Sequence, residues 1–383
     1  MNGPRVLRGV TVLVFLLVGL ALGGSASAGS RTLKMVPLVE HWDGSSWTQV
    51  KVAPPGATLV QLNAVVAPSA TEVWAFGYTH YAQHWNGTVW TRVALPVPKG
   101  AQSPEFDGAA AVSPNDIWAV GDAEFRGSTY AAHAVVDHWN GHRWRMVASV
   151  PSGGYSRLAG VTALSATNVW AVGVVGVNTG KRITERTLII HWNGKAWKRI
   201  PSPSPATRYT PAGSKSDSLA AVAGASSEDV WAVGSYYRVA ADGEHAMHPL
   251  VLHWNGVRWT QVPSPDPAGA GHRSFLFGVT APSVTGVWAV GSAARHGNQH
   301  ALAEHWDGTR WNIVPTTRNP LFGVSGVSAN DVWAAGGWTS GDVEHWDGNA
   351  WTVQLKLIHD DALMAVAEVS PTDVWAVGVQ FVS

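Results

Sequence analysis

Ten residues of this chain combine the side chains that recognise polar ligands: carboxylates, guanidinium groups, imidazole and aromatic rings. Carboxylates and arginines bind hydroxyl and anionic groups through charge-assisted hydrogen bonds, and aromatic rings pack on apolar faces. The mixture predicts a site for a polar ligand with apolar faces, and a sugar is the commonest such ligand outside a cell. The predicted ligand-binding residues are Asp107, Tyr155, Arg157, Asp217, His272, Arg273, Arg318, Asp360, Asp361 and Trp338.

A second interpretation of the same residues is a glycosidase or a lyase. Its acid or base would be one of the four aspartates of the set, with the three arginines clamping a substrate carboxylate. No spacing in the sequence pairs a nucleophile with a base. The sequence therefore favours a binding site with no catalytic residues, no cofactor and no bound metal.

Two short motifs show that the rest of the chain consists of one unit repeated seven times. The first motif, HW[D/N]GxxW, begins at His41, His84, His138, His191, His253, His305 and His345. The second, VWAxG or a close variant, places a tryptophan at Trp74, Trp118, Trp170, Trp231, Trp288, Trp333 and Trp375. A residue repeated once per unit is seldom catalytic, because an active site brings unlike groups together at one place. We therefore interpret the repeated histidines as structural hydrogen-bonding groups and the tryptophans as core.

Each unit contains four short segments of strand composition, which we name a to d in chain order. Strand a carries an LxxV pattern such as Leu158 and Val161, strand b is VWAxG, strand c ends in His-Trp and strand d begins at the second tryptophan. Asn-Gly or Asp-Gly between strands c and d predicts a type I′ hairpin turn. Between strands a and b, a serine and a following acidic residue or asparagine are expected to hold a tight turn by binding its backbone. Gly286 is the one departure from this acidic position.

Seven repeats of four strands predict an all-β, seven-bladed β-propeller. The chain carries a lone c-d pair after residue 38 and a lone a-b pair after residue 362, and these halves are expected to complete one blade by two-plus-two strand closure. The turns a-b and c-d vary little among the repeats, whereas the b-c and d-a loops vary widely. The variable loops share one face of the ring, and the ten candidate residues lie in them or just before strand a. We therefore predict a site at the mouth of the central channel on this face.

The order VWAVG, Trp-Asp-Gly and then a tryptophan on the last strand resembles the secreted kelch-like propellers related to the galactose oxidase central domain. The resemblance extends over the whole chain after its first 28 residues. WD-repeat blades are also similar, since His, Ser, Trp and Asp recur in them as a structural network, although the motifs come in another order. Both resemblances imply the fold more than the function.

The first 28 residues have the composition of a secretory signal peptide. Arg5 and Arg8 precede an apolar run from residue 10 to 22, and Ala26-Ser27-Ala28 is a small-residue cleavage site. We expect residues 1–28 to be removed and residues 29–383 to form a single secreted propeller domain. The chain has no cysteine, so its stability outside a cell must come from packing.

The formal net charge of zero gives no reason to expect a nucleic-acid partner. The sequence thus predicts a secreted, monomeric, non-catalytic binding module, with a glycan or another cell-surface ligand as its partner and carbohydrate as the favoured ligand. A secreted glycosidase or lyase and a protein-interaction scaffold are the alternatives.

Overall fold

The computed structural model describes most of the chain after residue 33. The described ranges are 34–54, 60–78, 80–125, 132–150, 155–178, 183–206, 216–239, 245–269, 273–295, 298–317, 319–338, 340–358 and 361–382. The predicted signal peptide at residues 1–28 lies outside them. Within these ranges no helix is long and apolar enough to cross a membrane.

The described residues form 28 strands that group into seven blades of four antiparallel strands. In chain order the strands are β1 (Lys34–Trp42), β2 (Trp47–Gln49), β3 (Leu62–Ser69), β4 (Glu72–Gly77), β5 (Tyr81–Trp85), β6 (Trp90–Val93), β7 (Ala101–Ser113), β8 (Asp116–Phe125), β9 (Ala132–Trp139), β10 (Trp144–Val150), β11 (Ser156–Ser165), β12 (Asn168–Asn178), β13 (Ile183–Trp192), β14 (Trp197–Arg199), β15 (Asp217–Ser226), β16 (Asp229–Val239), β17 (His245–Trp254), β18 (Trp259–Gln261), β19 (Arg273–Ser283), β20 (Gly286–Arg295), β21 (Asn298–Trp306), β22 (Trp311–Ile313), β23 (Leu321–Ser328), β24 (Asp331–Gly336), β25 (Asp342–Trp346), β26 (Trp351–Lys356), β27 (Ala362–Ser370) and β28 (Asp373–Val382).

Blades 1 to 6 take consecutive groups of four strands from β3 to β26, and blade 7 combines both ends of the chain. In blade 7, β1 pairs with β28 over nine residues, from Lys34 opposite Val382 to Trp42 opposite Val374. The first strands of the seven blades contact one another in a closed circle, with β27 meeting β3. The predicted seven-bladed propeller with two-plus-two closure is confirmed.

The tryptophans of the repeat form the interface between successive blades. Each strand-b tryptophan, at most 2% exposed, packs against the two motif tryptophans of the next blade. The ring centroid of Trp74 lies 5.2 Å from that of Trp139 and 5.3 Å from that of Trp144, and the Trp144 ring is edge-on to Trp74. The same pair of contacts recurs at all seven interfaces, ending with Trp375 against Trp85 and Trp90. The ring is therefore held together by burial of large aromatic surfaces.

The repeated histidine packs against the strand-b tryptophan of its own blade, with ring centroids 4.1–4.6 Å apart. In six blades its Nε2 lies 2.7–2.9 Å from the acidic or asparagine side chain that opens strand b. This side chain thus serves as the partner of the histidine, a contact that the turn prediction did not include. The turn serine does bind backbone, as in the bond from Thr372 N–H to Ser370 Oγ.

Blade 5 departs from this arrangement because Gly286 stands at the acidic position. A Cβ at Gly286 would lie 2.5 Å from the Cβ of Ala329 in blade 6. The indole of Trp288 donates to the carbonyl of Ala329 at 3.2 Å. Burial lowers the pKa of His305, which the nearby Asp307 only partly opposes. Blade 6 thus contacts blade 5 so closely at this point that a side chain at position 286 does not fit.

The turn between strands c and d is not the predicted type I′ hairpin. Only the glycine has positive φ, between 84° and 94° in all seven turns, and Trp42 pairs with Trp47 around a four-residue loop. The preceding Asp43 accepts backbone N–H groups from Ser45 at 2.9 Å and Ser46 at 2.8 Å through one oxygen. The Asp or Asn is selected as this acceptor, and the glycine for its left-handed φ.

Candidate functional site

Every innermost strand carries a β-bulge at the same place. Strand register shifts by one residue after the buried residue that opens the LxxV pattern, for example between Leu62 and Ala64. A bulge re-aims the extra side chain away from the blade. The seven extra residues, which we name the bulge ring, are Asn63, Asp107, Ala159, Ala220, Phe277, Phe322 and Met364, and all are half-buried.

Side chains of the bulge ring meet across blade boundaries, which places them around the central channel. Asn63 Nδ2 donates to Asp107 Oδ1 of the next blade at 3.2 Å. The rings of Phe277 and Phe322, in blades 5 and 6, lie 5.6 Å apart. Because these side chains extend from the innermost strands and are only half-buried, we infer that the bulge ring faces the central channel.

Small residues after each bulge allow the inner strands to approach closely. A Cβ at Gly160 would lie 2.8 Å from the Cα of Ala221 in the next blade, and one at Gly323 would lie 2.8 Å from the Cα of Ala365. The glycine of VWAxG leaves room for the bulged strand of its own blade. A Cβ at Gly291 would lie 1.9 Å from the carbonyl oxygen of Phe275. The repeated glycine therefore has a steric cause.

One side of the bulge ring is polar at Asn63 and Asp107, in blades 1 and 2, and Arg157 of blade 3 contacts it. Arg157 donates to Asp107 Oδ2 from Nε at 3.0 Å and from Nη2 at 2.8 Å, and Nε lies 3.4 Å from Asp122 Oδ1. Gln61 donates to Asn63 Oδ1 at 2.9 Å. We name the polar arc as Gln61, Asn63, Asp107, Asp122 and Arg157. Its side chains are fixed by mutual hydrogen bonds and ion pairs.

Charge compensation keeps Arg157 ionised. Burial alone would lower the pKa of Arg157, but the carboxylates of Asp107 and Asp122 outweigh it and raise that pKa. Tyr78 lies beside the same groups, and burial, with the Asp107 charge, raises the pKa of its phenol. The arc thus holds an ion pair, with a neutral, buried phenol beside it.

The opposite side of the bulge ring, in blades 5 to 7, is apolar. Phe275 stacks on Phe277 at 5.8 Å, and Trp338 packs edge-on against Phe322 at 4.4 Å. Met364 occupies the next ring position. We name these five residues the apolar arc. Ala159 and Ala220, which have the smallest side chains of the ring, lie between the two arcs.

The structure brings two of the ten predicted site residues together, Asp107 and Arg157. Three others are engaged within the fold. The carboxylate of Asp217 accepts the N–H of Ala206 at 2.8 Å, and that of Asp361 accepts the N–H of Phe381 at 3.0 Å. The hydroxyl of Tyr155 donates to Glu185. These bonds orient loops and strand ends, and a ligand-binding role for the three stays a prediction.

Trp338 and Arg273 have different settings. The Trp338 indole donates to Gln299 Oε1 at 3.0 Å while its ring joins the apolar arc. Arg273 is exposed at the start of β19, opposite Met247 of blade 4. The remaining three predicted residues, His272, Arg318 and Asp360, lie outside the described ranges.

Sequence reasoning missed most of the bulge ring, although a signal was present. A regular strand puts residues three apart on opposite faces, yet Leu158 and Val161 are both buried in the core shared by blades 2 and 3. The LxxV spacing is therefore the signature of one extra residue. Reading it as a bulge would have identified the channel-facing position in six blades, since blade 2 has Phe106 and Ala109 in place of the Leu and the Val.

Comparison with solved structures supports the propeller fold. YCF48 from Cyanidioschyzon merolae is 14% identical, with a TM-score of 0.53 over 87% of this chain and 98% of that one. YCF48 bound to D1 peptide is 12% identical, with a TM-score of 0.51 over 93% and 99%. The WD40 propeller domain of Doa1 is 8% identical, with a TM-score of 0.50 over 89% and 96%. No protein-family profile and no curated protein matches this sequence. Likeness at this distance shows the propeller alone and does not single out kelch-like proteins.

Proposed function

We propose that this chain is a non-catalytic binding module that captures an exposed polypeptide segment at the mouth of its channel. The observation that carries the proposal is the division of the bulge ring into a polar arc and an apolar arc. A polypeptide offers apolar side chains and backbone amides within a few ångströms of each other, which matches this division. The propeller supplies a rigid frame for the site.

The apolar arc favours a polypeptide over the sugar expected from the sequence. It consists of three phenylalanines, a methionine and a tryptophan whose indole N–H is already bonded to Gln299. Sugar recognition needs hydrogen-bond donors and acceptors around the ring that stacks on the sugar, whereas Phe and Met accept apolar side chains. The distant YCF48 structure with a bound peptide illustrates that a propeller can hold such a ligand. A glycan becomes the competing outcome of the test.

The polar arc supports a binding role more than catalysis. Both Asp107 oxygens accept hydrogen bonds, one from Asn63 and the other from Arg157. A carboxylate with both oxygens already bonded to protein groups has neither oxygen free to meet a substrate. Its fixed geometry suits recognition of a backbone amide or a polar side chain at the channel rim.

We further propose that the module is exported and acts outside the cytoplasm. The support is the sequence of residues 1–28, with two arginines, an apolar run and a small-residue cleavage site. Mass spectrometry of the protein from its native source tests this proposal. A mature N-terminus at Gly29 is expected, and an intact N-terminal region in the cytoplasmic fraction would contradict it.

The polypeptide proposal is tested with random peptides displayed on phage and selected on the purified protein, followed by calorimetric titration of the selected peptides. The Phe277→Ser/Phe322→Ser variant should lose at least about tenfold in affinity, since each buried aromatic side chain contributes more than 1 kcal/mol. Ala220→Phe should also weaken binding, because it places a bulky ring between the two arcs.

Val284→Ser is the matched control, since Val284 is 55% exposed on the a-b turn at the other end of the channel. It should leave the affinity unchanged. The purified protein is also screened on a glycan array. Glycan binding that is lost in Phe277→Ser/Phe322→Ser, with no peptide selected, would establish the carbohydrate function and exclude the polypeptide one.

A further inference from the structure

Blade 3 concentrates positive charge in a chain that is otherwise balanced. Residues 155–206 contain seven lysines and arginines but one acidic residue, whereas the whole chain has 26 of each charge. The single acid, Glu185, is tied to Tyr155 and Ser216. Blade 3 also has asparagine in place of acids at its c-d turn and beside its repeated histidine, at Asn193 and Asn168. The charge of this blade is therefore not cancelled from within.

Two of these cations line a groove on the outer part of the blade. Arg186 of β13 and Arg199 of β14 are both exposed and flank an open groove of about 360 Å³. Strand β14 and the segment after it run beside β13, as shown by the bond from Ile200 N–H to the Ile189 carbonyl at 2.9 Å. The two guanidinium groups are thus held on adjacent chain segments along one groove.

Hydroxyl groups form the floor of this groove. Thr187 Oγ1 lies 2.9 Å from Ser202 Oγ and 3.0 Å from Ser204 Oγ, and the Thr187 N–H donates to Ser204 Oγ at 3.1 Å. This network fixes the segment that contains Ser202 and Ser204 against β13. Cations above a hydroxyl floor, with no carboxylate in the lining, match the hydrogen-bonding needs of a sulfate or phosphate group.

We propose that the outer groove of blade 3 binds the sulfate or phosphate groups of an anionic polymer. The groove is open, so a chain can lie along it and place successive anionic groups at Arg199 and Arg186. Guanidinium groups bind such oxyanions through paired N–H donors. The groove lies away from the channel axis, so a polymer held there leaves the channel mouth accessible.

The test measures binding of the purified protein to fluorescent dextran sulfate and to polyphosphate, with uncharged dextran as reference. Binding to at least one anionic polymer is expected, and it should weaken as salt rises because counterions are released. Arg186→Glu/Arg199→Glu should weaken it at least about tenfold, as each charge-assisted contact contributes that order. The two polymers distinguish sulfate from phosphate as the source.

Arg92→Glu/Arg145→Glu changes the net charge equally and is the matched control. Arg92 holds the position of Arg199 in blade 1, and Arg145 is exposed on strand d of blade 2. It should keep affinity within about threefold, the size of a long-range charge effect. Equal loss in both variants, retention in the blade 3 variant, or no binding of either polymer would overturn the proposal. Selected peptides should still bind the blade 3 variant, which separates this site from the channel mouth.

Discussion

The indole of Trp375 in β28 packs edge-on against the indole of Trp90 in β6, with ring centroids 5.6 Å apart. This contact joins the end of the chain to blade 1 in the same way as six other interfaces. The seven interfaces are equivalent, so loss of one should destabilise the whole fold. The interface tryptophans and the channel residues are different residues, so stability and binding can be tested separately in this protein.

Trp375→Ala should lower the free energy of unfolding by about 3–5 kcal/mol, because it removes a fully buried ring between two blades. Trp338→Ala, on the channel face, should cost less than half as much. Denaturant unfolding followed by circular dichroism measures both. Equal costs would mean that the repeated tryptophans do not dominate the interfaces.

Gly291→Ala should destabilise the protein by about 3 kcal/mol or more, since its Cβ would lie 1.9 Å from the Phe275 carbonyl and the backbone must move. Gly100→Ala is the comparison, because Gly100 has a φ of 82° but no atom near its Cβ. It should cost about 1–2 kcal/mol from backbone strain alone. The difference in denaturation midpoints reports the steric part, and a Gly291→Ala variant as stable as Gly100→Ala would contradict the bulge geometry.

Asp229→Ala should cost about 1–2 kcal/mol, because it removes the partner of His253 at 2.7 Å. Asp229→Asn should cost much less, since Asn168 already serves His191 at 2.9 Å in blade 3. Thermal unfolding of the two variants makes the comparison. If both lost the same stability, the negative charge rather than the hydrogen bond would matter.

Glu304 makes stability depend on pH. Burial raises the pKa of its carboxyl to about 8 from the ordinary 4.5. The folded protein therefore holds this proton more tightly than the unfolded chain. Its stabilising contribution is complete below pH 4.5 and is lost as pH rises toward 8.

Glu304→Gln should remove this dependence, because Gln83 occupies the same position in blade 1 and Ser264 can still donate to the amide oxygen. Between pH 5 and pH 8 the variant's free energy of unfolding should fall less than that of the wild type. Buffers of constant ionic strength and chemical unfolding at each pH provide the measurement. Parallel curves of unfolding free energy against pH for the two proteins would show that Glu304 does not cause the pH dependence.

The sequence was sufficient for the fold because the motifs report packing directly. A tryptophan repeated in an all-apolar strand requires cover on both faces, and the unmatched hairpins at the two ends required closure. The turn prediction failed because Asn-Gly is compatible with more than one loop length. At Asp43, the loop conformation is set by the hydrogen bonds that the side chain accepts from the backbone N–H groups of the turn, and not by the Asp-Gly dipeptide alone.

The site was less predictable because a polar residue near a channel can serve the fold or a ligand. Asp107 and Asp217 are both aspartates near the start of strand a, yet one meets Arg157 in the channel and the other binds the N–H of Ala206. Their difference depends on a one-residue bulge and on loops whose paths no local pattern specifies. The bulge was encoded in the LxxV spacing, whereas the loop paths were not.

Because blade 7 combines strands from both ends of the propeller, the ring of blades closes late in folding. The hairpin of β1 and β2 is made before blades 1 to 6, and its partners β27 and β28 are made after them. Until β27 and β28 emerge, blade 7 is half a sheet, with the edge of β1 open and the interfaces on either side incomplete. The ring therefore closes only after translation has passed Val382, and any truncation ahead of β27 leaves an open arc of blades.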